Sequence, residues 1–446
     1  MASTGDTASS QASVLAPPGP KIADSLAVGL IVLVMLLAAF YPETFISGDL
    51  TVGSQRLTPL SFLLPVVAVA AVAYFVNGHK VLRFRLVDWA LAAFMAWLLL
   101  RNPSGYTAAV AIKYLIYGVG LFYLTALAMQ SSSFTRVFQI SLMIIVCIVA
   151  VYGFVDFVMQ RNPIFGSYIL KAVPETSNSL HRAASTFAHP VAYGAFLVQV
   201  LPFCFYVTFK NAGIKEHLLG IFALVTATIS LYLTFSKGSL IAAGLLAVTG
   251  LVLLARKNFK TLAVIVVLSA VFIAALFFTF RDDLGIEIAD RSGFSFMARE
   301  LSWQAALQTF AEQPVTGVGL RNGVDSISRH LDRTNLGNET TLPIDNYYLS
   351  VLVEEGAIGL LLWLLFLFSI FIYGVNAVRQ SSGQRKLLAL AAIFSLAGLC
   401  LNMFTFDALF MYGNYVFFWI AAGLVRGSIT EKRESPASPE PVAVTS

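Results

Sequence analysis

Long uncharged apolar runs dominate this sequence, and a helix of about 20 such residues crosses a hydrocarbon core of about 30 Å. On that ruler twelve spans are predicted, at residues 25–41, 58–76, 86–100, 107–128, 134–158, 191–209, 217–234, 239–254, 261–280, 347–375, 387–404 and 408–425. A bilayer offers no water to backbone N–H and C=O groups, so each run must close its hydrogen bonds within itself as a helix. Composition agrees. Of 446 residues, 58% are hydrophobic and 12% charged, where an ordinary soluble domain carries about 25% charged residues. A soluble multidomain enzyme, a disordered chain, a disulfide scaffold and a nucleic-acid-binding module are thereby excluded. Because the runs do not alternate apolar with polar residues, an outer-membrane barrel is excluded as well. The expected fold is an all-α polytopic membrane protein of about 12 transmembrane helices, with a large loop between spans 9 and 10.

Orientation follows from the cations of alternate loops, because cytoplasmic loops carry an excess of Lys and Arg. With the amino terminus inside, sixteen cations fall in inside segments and six in short outside loops. The six are Arg56, Arg101, Arg161, Lys171, Arg182 and Lys237. The predicted organisation is a cytoplasmic tail at 1–24, spans one to nine over 25–280, and an extracytoplasmic loop at 281–346. Spans ten to twelve follow over 347–425, with a second cytoplasmic tail at 426–446. Both tails read as disordered from their Ala/Ser/Pro-rich composition, and the run from Ser25 reads as a retained helix and not a cleaved signal. Cys147, Cys204 and Cys400 lie inside apolar runs and are expected to be small buried residues.

Polar residues that topology leaves unexplained crowd the outer side, in four stretches. His181 to Pro190 holds Arg182, a cation on the disfavoured side, set either for an anion or for lipid headgroups. It also holds His189, at the entry to a helix, where the macrodipole favours neutral imidazole. Thr234 to Ser239 is a short turn in which Ser236, Lys237 and Gly238 at a helix N-terminus form either a small anion nest or a snorkelling lysine. Met297 to Phe310 has Arg299, Trp303, Ala306 and Phe310 at helical spacing and ends before Pro314, so an amphipathic helix on the membrane surface is expected there. Gly317 to Gly323, which includes Arg321, is a poor dinucleotide fingerprint with no βαβ unit around it, and reads as a tight turn. In the fourth stretch Asp345 precedes Asn346 and Tyr347 at a helix start, as either a cap or a general base. Glu354 and Glu355 follow inside the span, where charge must be paired or face a wet cavity. The histidines are scattered, so the sequence presents no metal-ligand cluster.

In order, Arg182 to His189-Pro190, Phe235-Ser236-Lys237-Gly238, Arg299 with Trp303, Pro314-Val-Thr-Gly317-Val-Gly319, Asp345-Asn346 and Glu355-Gly356 resemble the O-antigen ligase and O-antigen polymerase superfamily, the Wzy-like bacterial glycan transferases. That resemblance implies a GT-C-type membrane glycosyltransferase of the inner membrane, with its active site facing the periplasm. Its donor would be a glycan on undecaprenyl pyrophosphate and its acceptor a glycan hydroxyl, with membrane lipid and a chain-length regulator as candidate partners and no nucleic acid. Transfer would invert the anomeric centre, and needs a cationic clamp for growing pyrophosphate charge and a base for the hydroxyl proton.

On the resemblance, Arg182, Lys237 and Arg299 are the expected clamp and Asp345 the expected catalytic group. His189, Ser236, Arg321, Asn346 and Tyr347 would contact substrate. Ligases of the family have His-Asn where this chain has Asp345-Asn346, which turns the expectation toward a polymerase of surface polysaccharide, with the ligase and a lipid-linked oligosaccharide flippase as alternatives. No cofactor or metal is implied, since the lysine and arginines supply the positive charge. The clamp residues and Asp345 are expected to meet around one outward-opening cavity.

Overall fold

A computed structural model describes residues 21–40, 51–52, 55–56, 66–67, 69–70, 84–103, 105–129, 131, 133–166, 181–210, 213–255, 285–331 and 342–429. Predicted spans 58–76 and 261–280 lie almost wholly outside the described residues, as do most of the expected tails. The chain forms α1 (Lys21–Phe40), α2 (Leu86–Arg101) and α3 (Gly105–Tyr114), which passes through a π-turn (Leu115–Val119) into α4 (Gly120–Ala128). Then come α5 (Phe134–Val158), α6 (Pro190–Phe209), α7 (Ile214–Leu233), α8 (Lys237–Ala255) and α9 (Gly285–Glu312). The short α10 (Gly323–Ile327) leads to α11 (Tyr347–Gln380), α12 (Gly383–Asn402) and α13 (Tyr412–Gly427). A two-residue antiparallel ladder, Thr51–Val52 with Gln55–Arg56, is the one strand pairing among the described residues.

Six helical stretches are long and apolar enough to cross a membrane: Thr107–Ala128, α5, α6, α7, α11 and α12. The protein is an all-α, multi-pass membrane protein. At its centre stands α13, whose residues from Gly413 to Gly427 are all buried, as befits a helix apolar on every side. Small residues let α4 approach it closely: a Cβ on Gly423 would come within 2.6 Å of the Phe122 carbonyl oxygen. Helix α6 packs against α7 and α12, and α11 packs against α2.

Arg426, expected as the first residue of the cytoplasmic tail, is instead fully buried at the end of α13. Its guanidinium Nη2 donates to Asp88 Oδ2 at 3.0 Å and its Nη1 to the Tyr373 hydroxyl at 2.9 Å. Asp88 also accepts from Arg85 N at 2.7 Å and from the Tyr123 hydroxyl at 3.0 Å. The Asp88–Arg426 pair thus ties α2, α4, α11 and α13 together. Breaking a buried ion pair from one side leaves the other charge stranded. Arg426→Gln is therefore expected to lower unfolding stability in detergent by about 3–5 kcal/mol, and Asp88→Asn combined with it to recover most of that loss. Equal losses in the single and double variants would refute the pairing.

Candidate functional site

The segment 181–189 is sewn down before any helix begins. Asp156, fully buried on α5, meets His181 Nε2 at 2.8 Å and accepts from the backbone N–H groups of Ala184 and Ser185 at 2.8 and 2.9 Å. Ala183 N donates to Leu233 O at 3.0 Å and Arg182 Nε to Thr234 O at 2.9 Å, which joins this segment to the turn after α7. At its end, the His189 side chain accepts from Val191 N at 3.2 Å and caps α6, with Pro190 at the first helical position. Burial, then Arg182 and Arg299, push the His189 imidazole down to about 4, so it is neutral at pH 7.

In the turn after α7, Phe235 adopts a left-handed backbone with φ 48°. The Ser236 hydroxyl is buried against Ser239 Oγ at 3.0 Å, and Ser239 donates to Asn402 Oδ1 at 2.8 Å. Ser236 therefore packs the turn. Lys237 is exposed at the first position of α8, and its ammonium makes no hydrogen bond or ion pair among the described residues.

The large loop holds a small core of its own. Ala305 and Ala306 of α9 pack with Ile327, Leu331, Leu342, Ile344 and Val353, and Phe310 packs against them. On the face expected at the membrane surface, Ala306 and Phe310 pack against this core, while Trp303 is exposed and reaches the segment 343–345 with its ring nitrogen. Here Ser302 Oγ donates to Pro343 O at 2.7 Å and Trp303 Nε1 to Ile344 O at 2.9 Å. One residue further on, Arg299 Nε lies 3.5 Å from Asp345 Oδ2. Helical spacing of three and four residues makes this possible, since it stacks these side chains on one face. Asp345 itself has φ 49°, and the Asn346 side chain accepts from Leu349 N at 3.1 Å to cap α11. Asn346 is thus the cap, and Asp345 is left for other work.

Helix α11 is broken at Gly356, whose φ of 70° and ψ of −173° lie outside the helical region. The groups freed by the break are met by the glycine turn. Val318 N and Gly319 N donate to Val353 O and Glu354 O at 2.9 and 2.8 Å, and Ala357 N donates to Pro314 O at 2.9 Å. Gly317 and Gly356 face this seam: a Cβ on Gly356 would run into the Val315 carbonyl, and one on Gly317 into that of Glu354. Glu354 Oε1 accepts from Gly323 N at 3.3 Å and Glu355 Oε1 from Asn102 Nδ2 at 3.1 Å. Arg101 braces the same turn, donating to Thr316 O at 2.8 Å and Gly317 O at 2.6 Å.

These pieces converge on residues 402–410, which lie outside the four polar stretches read from the sequence. Ser239 reaches Asn402, Gly238 packs on Thr405, and His189 stacks on Phe406 with ring centroids 6.2 Å apart. Tyr347 N donates to Met403 O at 2.8 Å, and Ser350 and Arg321 both act to lower the Asp407 carboxyl. The Arg321 guanidinium, on a backbone with φ 66°, lies 3.6 Å from the centre of the Phe410 ring. Arg182, His189, Arg299 and Asp345 form one electrostatic neighbourhood, while the Lys237 side chain joins it only through its turn.

Burial raises the Asp345 carboxyl above the usual carboxylate value, and Arg299 pulls it back. Asp407 is pushed up to about 6, by burial first and with Asp345 adding to the rise against Arg321 and Ser350. Two neighbouring carboxyls of raised basicity beside a set of cations suit proton transfer at an anionic substrate.

The glycine seam gives a direct test. Gly356→Ala puts a side chain into an essentially glycine-only region, a strain of about 1–3 kcal/mol before the collision with Val315 is counted. It is expected to lower the melting temperature clearly. Gly383→Ala, also at positive φ (56°) but with nothing within 4 Å, is expected to cost much less. Equal melting shifts for the two would contradict the seam.

No curated protein matches the chain. Residues 222–364 match the Wzy_C family, O-antigen ligase, a stretch that carries the Lys237 turn, Arg299, the glycine turn, Asp345 and the broken helix but not Arg182, His189 or the 402–410 turn. Over that segment the chain is similar to the O-antigen ligase and polymerase superfamily.

Proposed function

We propose that the protein transfers an oligosaccharide from undecaprenyl pyrophosphate to an acceptor glycan hydroxyl at the outer face of the inner membrane, and that it polymerises surface-polysaccharide repeat units. Similarity to the O-antigen ligase family over residues 222–364 supports glycan transfer between a lipid-linked donor and an acceptor glycan. The observation that carries the finer reading is the Arg299–Asp345 pair: a carboxylate stands beside a cation at 3.5 Å, where ligases of the family carry a histidine.

In this reading Asp345 takes the acceptor proton as the hydroxyl attacks the anomeric carbon, and undecaprenyl pyrophosphate leaves with the bonding electrons. Arg299 and Arg182 face the phosphates, with Lys237 at the edge as an exposed point charge without an arginine's bidentate fork. Their effect grows as charge develops on the leaving group, which is what lowers the barrier. His189, neutral at pH 7, is suited to hydrogen bonding and not to charge pairing, and it and Arg321 line the neighbourhood. Ser236, Asn346 and Tyr347 act through packing and backbone contacts that hold the site's shape. The ligase description of the matched family keeps transfer to lipid A core as the second reading.

The test is a reconstituted assay with purified protein and undecaprenyl-pyrophosphate-linked repeat units, in EDTA and without ATP. A ladder of longer lipid-linked glycans is expected. Asp345→Ala is expected to slow it by about 10²–10⁴-fold, the usual worth of a positioned base. Product that forms only when lipid A core is supplied would make the protein a ligase. Undiminished laddering by Asp345→Ala would remove Asp345 from the chemistry.

A further inference from the structure

The two groups assigned opposite tasks, binding phosphate and taking a proton, are in contact with each other. Only one of them is free to move. Ser302 and Trp303 fasten the carbonyls of Pro343 and Ile344, Asp345 sits at φ 49°, and Asn346 caps α11, so the carboxylate is fixed by its own backbone. The Arg299 side chain is long and 34% exposed, beside a carboxylate 27% exposed. Its Nε is shielded from solvent and makes no hydrogen bond. At 3.5 Å the contact is looser than a charge-assisted hydrogen bond of about 2.7–2.9 Å, so this is an ionic contact that a better anion can break.

We infer that Arg299 serves two anions in turn. In the empty site it holds the Asp345 carboxylate; a pyrophosphate-bearing donor draws the guanidinium away, so the base is released only in the donor complex and the donor binds before the acceptor. This rests on the glycan-transfer reading above.

Pyrophosphate wins the competition because it carries more charge and can take the guanidinium fork with two oxygens. The consequence for proton transfer has a definite sign. A carboxylate facing an arginine holds its negative charge well and is a weak base; with the arginine turned to phosphate and a new anion nearby, it becomes a stronger one. The charged group that bears on it is Arg299 from α9, which opposes protonation, while Asp345 in turn raises the carboxyl of Asp407 on the 402–410 turn. Arg182, which with Arg299 acts on the neighbouring His189, offers the donor a second cation.

In the step itself, the acceptor O–H bond breaks as its oxygen bonds the anomeric carbon. The proton passes to Asp345, and the carbon–oxygen bond to pyrophosphate breaks with its electron pair going to the leaving phosphate. The same device explains what a carboxylate adds here: a neutral histidine could not be restrained by an arginine in this way.

Binding of farnesyl pyrophosphate to the full chain in nanodiscs tests the competition. Asp345→Asn removes the competing charge while keeping the shape, and is expected to bind the probe roughly fivefold more tightly than wild type, the upper end for a part-exposed ion pair. Arg299→Gln is expected to bind it more weakly than wild type. Should Asp345→Asn melt several degrees lower, Asp345→Ser gives the same comparison. A carboxyl-free variant that binds no more tightly than wild type, with Arg299→Gln weakened, overturns the hand-off and leaves glycan transfer standing. Wild type that neither binds the probe nor elongates the lipid-linked donor overturns the functional reading, and the hand-off with it.

Discussion

Tyr347 N donates to Met403 O at 2.8 Å, and around that bond the start of α11 is held against the short turn that links α12 to α13. The rest of the site depends on this turn. It receives Ser239 at Asn402, Gly238 at Thr405, His189 at Phe406, Ser350 at Asp407 and Arg321 at Phe410. In a bilayer an unsatisfied polar group is costly, so polar backbone that leaves a helix must find a partner in the protein. Through one backbone hydrogen bond, a side-chain hydrogen bond and ring and packing contacts, the 402–410 turn meets segments that lie far apart along the chain.

A second constraint acts on α11. Breaking a helix frees backbone groups that must be paired elsewhere, and the turn 314–319 pairs them across the Gly317–Gly356 seam. This accounts for glycines at both positions. It also fixes the large loop to the membrane helices, because Arg101 and Asn102 at the end of α2 brace the same turn. Asp345 gains its position from this assembly: α9 fastens the chain before it, α11 begins just after it, and the carboxylate has little freedom between them.

Much of the helical order was legible because hydrophobic length alone sets a transmembrane helix. The span predicted at 134–158 coincides with α5, and those near α6, α7, α11 and α12 differ from it by a few residues at their ends. The four polar stretches were legible because polar residues beside membrane helices stand out against an apolar background. Two things were not. Arg426 follows an apolar run and so reads as a tail cation; its burial depends on Asp88, 338 residues away in sequence, and no local pattern shows such a partner. The packing of Ala306 and Phe310 of α9 on the core of the large loop is the other, because periodicity reports only that a face is apolar and not which protein segment packs on it. The 402–410 turn is not legible for a related reason, since its contacts are largely made by Asn402, Thr405, Phe406 and Phe410, residues with no chemical signature of their own.

The account stands on the convergence of these segments at the 402–410 turn. A Cβ on Gly238 would lie 3.2 Å from Thr405 Cβ, close to the ~3.5–4.5 Å that a disulfide spans. With Cys147, Cys204 and Cys400 replaced by serine or alanine, a Gly238→Cys, Thr405→Cys variant is expected to cross-link rapidly and completely on mild oxidation in the membrane. A control pair of Gly238→Cys with Gly383→Cys is expected to stay reduced. Failure of the first pair to cross-link, or equal cross-linking of both, would show that the Lys237 turn does not meet the 402–410 turn and would contradict the site described.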